Sequence, residues 1–565
     1  MINYCDGGEA VLEALRNLGV DYVISSPGSE WASVWEAFAR QKNDRAAGPT
    51  YIDVWHEEIA VAMAVGYTQI TGRMQAVLLH AGVGLLHGSM SIQGAQQTEV
   101  PLVIMSGEGL TYGEQPGFEP GMQWYRSLSV VGGPQRLVEP VVKWSTQATS
   151  VFSLYENIVR AGELAQRQPR GPVYLNVPIE TQIAEWTRPT KPRKVPMPPA
   201  ARPSDTDIEK LAGLLVAAKN PTIETQAAGR DPNAMAALVE LAELVGAPVV
   251  EGASATYANF PKRHPLHQGS RFEPFLKETD LVLLVNSRAP WYPPANRPLN
   301  ATIASIGENP IKNHMVYQHL HADLYLEADT TQTLRLLSQA VRAAGIDRDA
   351  VTARRERHAR AHETMAAGLA AAEEKAATTR PVDPLYLLKQ LRETMPADTI
   401  WVDETVIHSG MVQAHLGWNQ PQSYFYVMGG LGQGLGVSLG IRLAERKRPV
   451  VLLVGDGTFL YNPITQGLGA ARTSELPILV VVFNNKKYQA MKNNHQRYYP
   501  DGVAMNKEIY HGVTIDGPDY AELGHPFGFF GAKVEDPAEL KSAIEKALAA
   551  VQGGNSAILN VVLSR

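Results

Sequence analysis

Short β-branched runs alternate with longer stretches of helical periodicity along almost the whole chain. In the first third, DYVISSPG, QAVLLHAG and VPLVIMSG read as buried strands, each closed by glycine or proline. Between them, SVWEAFAR and EEIAVAMAVGYTQITG read as helices, and the amino-terminal stretch MINYCDGGEAVLEALRNLGV has apolar residues at the same spacing. Strands that are apolar throughout, separated by helices, predict parallel sheets covered by helices. GPVYLNVPIE, residues 171–180, reads as the last strand of this first unit.

A proline-rich stretch, EWTRPTKPRKVPMPPAARPS, follows and reads as a surface linker, because its prolines cannot donate to a strand ladder. A second α/β unit has strands near PTIE, APVVEG, LVLLVNS and ATIASIG. An Ala-, Arg- and Glu-rich segment then predicts a solvated helical connection. A third α/β unit opens with VDPLYLLKQLRETM and DTIWVDET. The expected division is 1–184 for the first domain, 185–204 for the linker, 205–345 for the central domain, 346–380 for the helical connection and 381–565 for the last domain. No close internal sequence repeat relates the units.

Length agrees with this count, since 565 residues exceed what one core supports. With 45% apolar and 19% charged residues, the composition is that of an ordinary globular protein. A net charge of -6 gives no reason to expect a nucleic-acid partner. No apolar run reaches the roughly 18 residues that span a bilayer, so no membrane partner is expected. Cys5 is the only cysteine, which excludes intramolecular disulfides and thiolate metal clusters and fits a cytoplasmic enzyme.

The chemistry concentrates in the third unit. VVLLVGDGTFL places Gly455, Asp456 and Gly457 at the end of one apolar strand, and PILVVVFNNKKY places Asn484 and Asn485 at the end of another. Ligands of open parallel sheets collect at the carboxyl ends of strands. Glycines let a backbone approach a phosphate, and hard oxygens suit magnesium bound with a diphosphate. A GDG turn is common by itself; its pairing with Asn485 is the specific signal.

On these residues the chain resembles the thiamine-diphosphate enzymes related to acetolactate synthase, benzoylformate decarboxylase and pyruvate decarboxylase, whose signature is GDG followed at a similar distance by NN. The resemblance covers the whole chain and implies three α/β domains: pyrimidine-binding, central and diphosphate-binding. It implies thiamine diphosphate and Mg2+, the metal held by the side chains of Asp456 and Asn485, the backbone oxygen of Lys487 and diphosphate oxygens. His56-Glu57 in YIDVWHEEIAVAMAVGYTQITGR matches the family's segment in which Glu57 acts on the cofactor's pyrimidine ring, promoting the tautomer that generates the ylid. Glu57 and Glu58 would also suit a helix first turn for charge reasons alone.

The run from Gly429 to Gly457 resembles benzoylformate decarboxylase without a gap. It implies that the Gly429 carbonyl bonds the cofactor's amino group and that Leu431 props the cofactor into a bent form. Close helix packing would explain GGLGQGLG equally. Thr405, His408 and Tyr488 are further cofactor-binding candidates. Ser29 matches a serine that binds the substrate carboxylate; a helix cap is the plain alternative. His80 and His87 are candidates for proton transfer, and either could be a satisfied core or surface histidine.

The implied reaction is carbon–carbon cleavage or formation on a 2-oxo acid through ylid and enamine intermediates, by a decarboxylase or an acetolactate-synthase-like carboligase. An acceptor aldehyde or a second 2-oxo acid could join. After Asn485, Ala490 and Met491 match pocket positions, but Asn494 replaces a phenylalanine, and Lys492, His495 and Arg497 add polarity; this departs from an aryl-substrate pocket. Trp291 and Tyr292 either reach the site, cover a nucleotide pocket or form a packing loop. FAD or a coenzyme A moiety in the central domain is allowed but not demanded, which keeps an oxidase or acyl-CoA lyase open, as is a non-catalytic paralogue. The resemblance also implies a homodimer with shared active sites, paired into a homotetramer.

Overall fold

The computed structural model describes residues 5–26, 28–108, 122–191, 193, 195–252 and 255–564. Pro27 of the first-domain turn and Pro192 and Lys194 of the linker lie outside these. Three sheets carry the fold, and every strand pair in them is parallel. The first contains β1 (Tyr22–Ser25), β2 (Thr50–Asp53), β3 (Gln75–Leu79), β4 (Leu102–Ser106), β5 (Trp144–Gln147) and β6 (Val173–Asn176), in the order β2-β1-β3-β4-β6-β5. The central sheet contains β7 (Pro221–Thr225), β8 (Val249–Glu251), β9 (Leu281–Val285), β10 (Thr302–Gly307) and β11 (Leu324–Glu327), in the order β11-β10-β9-β7-β8. The third contains β12 (Ile400–Glu404), β13 (Tyr424–Tyr426), β14 (Val450–Gly455), β15 (Leu479–Asn484), β16 (Phe530–Val534) and β17 (Ala557–Val562), ordered β13-β12-β14-β15-β17-β16.

The first and third sheets therefore share one topology, although their sequences show no close repeat. In both, chain order reverses beside the first strand, between β1 and β3 and between β12 and β14. Such a reversal opens a crevice at the carboxyl ends of the strands. Of the strands that the apolar pattern does not name, β2, β5, β11, β13 and β16 are sheet edges. An edge strand is covered on fewer sides, so its sequence is mixed; Thr50–Asp53 has no buried residue.

The helix Glu57–Thr71, between β2 and β3, is buried on all sides from Glu57 to Thr68, which explains its lack of a polar face. It packs along the helix Gly434–Ala444, which occupies the equivalent place between β13 and β14. The contact is reciprocal: a side chain at Gly66 would strike the backbone of Val437, and one at Gly440 the backbone of Met63. The small residues of both helices thus serve close packing within one chain. The connection expected at 346–380 is a helix, Arg348–Ala376, exposed over most of its length.

Candidate active site

The third-domain site forms at the predicted strand ends. Asp456 follows β14 directly and is 3% exposed. Its Oδ1 accepts the Gly457 N–H at 2.8 Å, while its buried Oδ2 has no hydrogen-bond partner among the described residues. Burial pushes its pKa up to about 6, opposed by the backbone N–H groups of Gly457, Lys486 and Lys487. A buried carboxylate oxygen that lacks a donor is a position a cation would satisfy. The NN pair divides its work: Asn484 is buried and donates to Asn560 Oδ1 at 2.9 Å, tying β15 to β17. Asn485, half-buried, accepts the Lys487 N–H at 3.0 Å. The ring of Tyr488 lies over Gly457, leaving no room there for a side chain. The donor set of Asp456, Asn485 and the Lys487 backbone is all hard oxygen and fits magnesium.

Thr405 and His408 follow β12, across the crevice from Gly455. Thr405 donates its hydroxyl and its N–H to Asp403 Oδ1, at 2.7 and 2.9 Å. His408 is buried beside Phe483, its Nδ1 has no partner, and burial lowers its pKa to about 4. Gly429 adopts a φ of 101°, a left-handed backbone that favours glycine, and abuts Gly94 of the first domain. Leu431 is half-buried two residues on.

One determinant of this loop is absent from the sequence reading. Glu404, the last residue of β12, accepts the N–H groups of Gly432 and Gln433 at 2.9 and 2.8 Å and the Asn462 amide at 3.0 Å. Burial raises its pKa to about 7. Two adjacent acids, Asp403 and Glu404, closing an apolar strand were the available signal.

In the first domain the crevice collects Ser29, Glu30, Glu57, His80 and His87. His56 caps its helix by accepting the Glu58 N–H on Nδ1 at 3.1 Å. The two glutamates then part. Glu58 accepts the Ser91 hydroxyl and N–H at 2.6 and 3.1 Å, and burial raises its pKa to about 8. Glu57 turns toward His87, whose Nδ1 lies 3.2 Å from its Oε2 and whose ring stacks on His56. His80 Nδ1 is 2.9 Å from Glu30 Oε2, and this bond raises its pKa. Glu30, fully buried, also accepts the Ala81 N–H at 2.6 Å. Ser29 is exposed and makes no capping bond, so the helix-cap alternative does not hold.

The remaining candidates separate from this group. Trp291 is buried against Phe272 in a small core of the central domain, which is the packing reading. Tyr292 is exposed. The helix Gln489–Tyr498 buries none of its residues; Met491, Asn494, His495 and Arg497 are exposed on it.

The central-domain crevice, at the reversal between β7 and β9, is filled from the first domain. Glu99 reaches into it and pairs with Arg230 at 2.7 Å and Lys312 at 2.8 Å. Burial favours its neutral form, but these cations hold its pKa down at about 2. Arg288 donates to the Gln97 carbonyl at 2.8 Å. The space left is about 20 Å³, room for about one water and far below the roughly 300–1,000 Å³ of small-molecule sites. A flavin or coenzyme A moiety does not fit this crevice as packed. No helix of the described residues is long and apolar enough to cross a membrane.

Comparison with known proteins agrees with this geometry. Residues 5–125 match the model of the thiamine pyrophosphate enzyme N-terminal TPP binding domain, 208–337 the central domain, and 405–561 the C-terminal TPP binding domain. Benzoylformate decarboxylase of Pseudomonas aeruginosa is 27% identical over 96% of this chain and 96% of that protein. The acetolactate synthase isozyme 3 large subunit of Escherichia coli is 24% identical over 99% of this chain and 94% of its own length. The crystal structure of benzoylformate decarboxylase from Polynucleobacter necessarius superposes with a TM-score of 0.80 at 23% identity, covering 99% of each chain. Three domain models, matched in the order of the three sheets, lead to one conclusion: the chain belongs to the thiamine pyrophosphate enzyme family.

Proposed function

We propose that the protein is a thiamine-diphosphate- and magnesium-dependent lyase or transferase that cleaves or forms a carbon–carbon bond on a 2-oxo acid, with domains divided at 1–184, 205–345 and 381–565. The observation that carries this reading is the buried, unpartnered Asp456 Oδ2 at the end of β14. Asp456, Asn485 and the Lys487 carbonyl would hold Mg2+, and Gly455, Gly457, Thr405, His408 and Tyr488 would surround the diphosphate. Bound thiamine diphosphate supplies a nucleophilic carbon and an electron sink for the bond to the carbonyl.

The chain's own groups do the rest. Glu57 would exchange a proton with the cofactor's pyrimidine, and His87 would orient that carboxylate. The Gly429 carbonyl would accept from the pyrimidine amino group, and Leu431 would pack against the cofactor. Ser29 binds the substrate carboxylate, and His80, kept protonated to higher pH by Glu30, donates a proton to the product-forming carbon. Lys492, His495 and Arg497 favour a polar or acidic substrate over an aryl one.

Each site is completed by two subunits of a dimer, itself paired into a tetramer. Supporting this, Leu86 and Met90 flank His87, and Leu460 and Tyr461 follow Asp456, and all four are exposed. A panel of 2-oxo acids, assayed for carbon dioxide release with and without acceptor aldehydes, tests the reaction. Turnover should require both thiamine diphosphate and Mg2+; turnover unaffected by omitting either would refute the assignment.

A further inference from the structure

Two histidines flank Glu57, and the three side chains form a compact donor set in the first-domain crevice. Glu57 Oε2 lies 3.2 Å from His87 Nδ1. The His56 ring stacks on that of His87, with centroids 5.1 Å apart and planes 21° from parallel. One donor atom from each of the three lies within 4.8 Å of the other two. Among the described residues, no other three His, Cys, Asp or Glu side chains converge in this way. The set is open to solvent: the His87 side chain is 53% exposed and that of Glu57 10%.

The spacing suits a metal ion. Zinc bonds of roughly 2.0–2.1 Å, arranged as a tetrahedron, set ligand atoms about 3.3 Å apart. The Glu57–His87 pair already stands at 3.2 Å. The third atom has at most about 1.5 Å to close from the 4.8 Å limit. Rotation of the exposed His87 ring and the half-buried His56 ring supplies a shift of that size. Two imidazoles and one carboxylate select zinc and its neighbours over magnesium, which takes oxygen ligands. Three protein ligands leave a fourth position for water.

His56 is the weakest of the three ligands. Its Nδ1 accepts the Glu58 N–H at 3.1 Å and caps the helix Glu57–Thr71. A metal on the ring ends that bond: on Nδ1 it takes the lone pair, and on Nε2 it sends the ring proton to Nδ1. The Glu58 N–H must then turn to water, which lowers the affinity without abolishing it.

We propose that His56, Glu57 and His87 form a binding site for a zinc-like divalent ion in the cofactor-free protein. This site is distinct from the oxygen donors of Asp456, Asn485 and Lys487, which belong to the third domain. Its consequence rests on the role proposed for Glu57: an ion there occupies the carboxylate that the pyrimidine of thiamine diphosphate needs. Ion and cofactor therefore exclude each other, and a chain that has captured zinc must release it before turnover.

Co2+ is a suitable probe, because tetrahedral nitrogen and oxygen donors give it intense visible absorption. Added to the cofactor-free full-length protein, it should produce a saturable band that Zn2+ removes. His87→Ala and His56→Asn should each weaken Zn2+ binding at least about tenfold, since even the partners of metal ligands are worth about 10–100-fold. Asparagine also caps helices, so the second variant reports the ligand and not the helix. Asp456→Ala should bind Zn2+ as wild type does. Excess thiamine diphosphate with Mg2+ should extinguish the Co2+ band, whereas equal pyrophosphate with Mg2+, which has no pyrimidine, should leave it. Absence of Zn2+ binding at about 100 µM, or equal affinity in wild type and His87→Ala, would overturn the site. A band that survives thiamine diphosphate, or is lost equally to pyrophosphate, would overturn the exclusion. If Glu57 does not serve the cofactor, the exclusion fails while the Zn2+ titrations stand, so the two failures are told apart.

Discussion

His87 Nδ1 stands 3.2 Å from Glu57 Oε2, while the adjacent Glu58 carboxylate is turned away and held by Ser91. Two neighbouring acids of one helix turn thus have different surroundings. That difference makes the first prediction sharp.

Glu57→Gln should keep the fold and bind thiamine diphosphate, yet slow exchange of the cofactor's C2 proton by at least the roughly 10²–10⁴-fold typical of lost acid–base catalysis. Glu58→Gln should leave that exchange near wild type, because the Glu58 carboxylate faces Ser91 rather than His87. Exchange measured by proton NMR decides between them, and the reverse ranking would move the role to Glu58.

Asp456→Ala should abolish joint binding of magnesium and thiamine diphosphate, read by calorimetry, with little loss of thermal stability. The substitution removes a buried carboxylate oxygen that has no partner in the protein, so no internal bond through Oδ2 is lost. Unchanged cofactor affinity would rule out the site.

Glu404→Ala leaves two backbone N–H groups and the Asn462 amide without their acceptor. Each buried orphan costs about 1–3 kcal/mol. The variant should melt earlier and bind the cofactor more weakly, because the loop that carries Gly429 and Leu431 loses its anchor. A melting curve and a cofactor isotherm both matching wild type would refute this.

Glu30→Gln should move the basic limb of the pH–rate profile to lower pH. The Glu30 carboxylate raises the His80 pKa above its ordinary 6.5, and the amide does not. The same pair contributes stability that is fully present below about pH 6.5 and is lost as pH rises through the raised His80 value. The melting difference between wild type and variant should therefore shrink across that window. A difference that stays constant with pH would mean that His80 does not titrate there.

Mixing inactive Glu57→Gln subunits with inactive Asp456→Ala subunits should restore part of the activity. In a shared-site dimer, one of the two sites then escapes both changes. The assay needs verified subunit exchange, scored by native mass spectrometry. Hybrids that stay dead, while hybrids of each mutant with wild type are active, would place the whole site within one chain.

The sequence by itself determined the three parallel-sheet units and the place of Asp456 and Asn485 at strand ends. Interior strands such as LVLLV at 281–285 and LVVVF at 479–483 are buried on both faces, so their apolar pattern is unbroken. Asp456 and Asn485 sit at strand ends because the chain must turn there; Gly455 marks the first turn, and Lys486 takes the left-handed backbone at the second. What only the tertiary structure decided depends on contacts between residues far apart in the chain. No local pattern could say that Glu58 would meet Ser91 and Glu57 would meet His87, since both acids suit a helix first turn equally. Nor could spacing show that the small-residue helices 57–71 and 434–444 pack on each other within one chain. The same holds for Glu99, remote in sequence from the central domain, filling its crevice where a nucleotide was an open expectation. Local sequence sets backbone conformation and burial pattern, but the partner of a buried charge is chosen by which distant segment folding brings beside it.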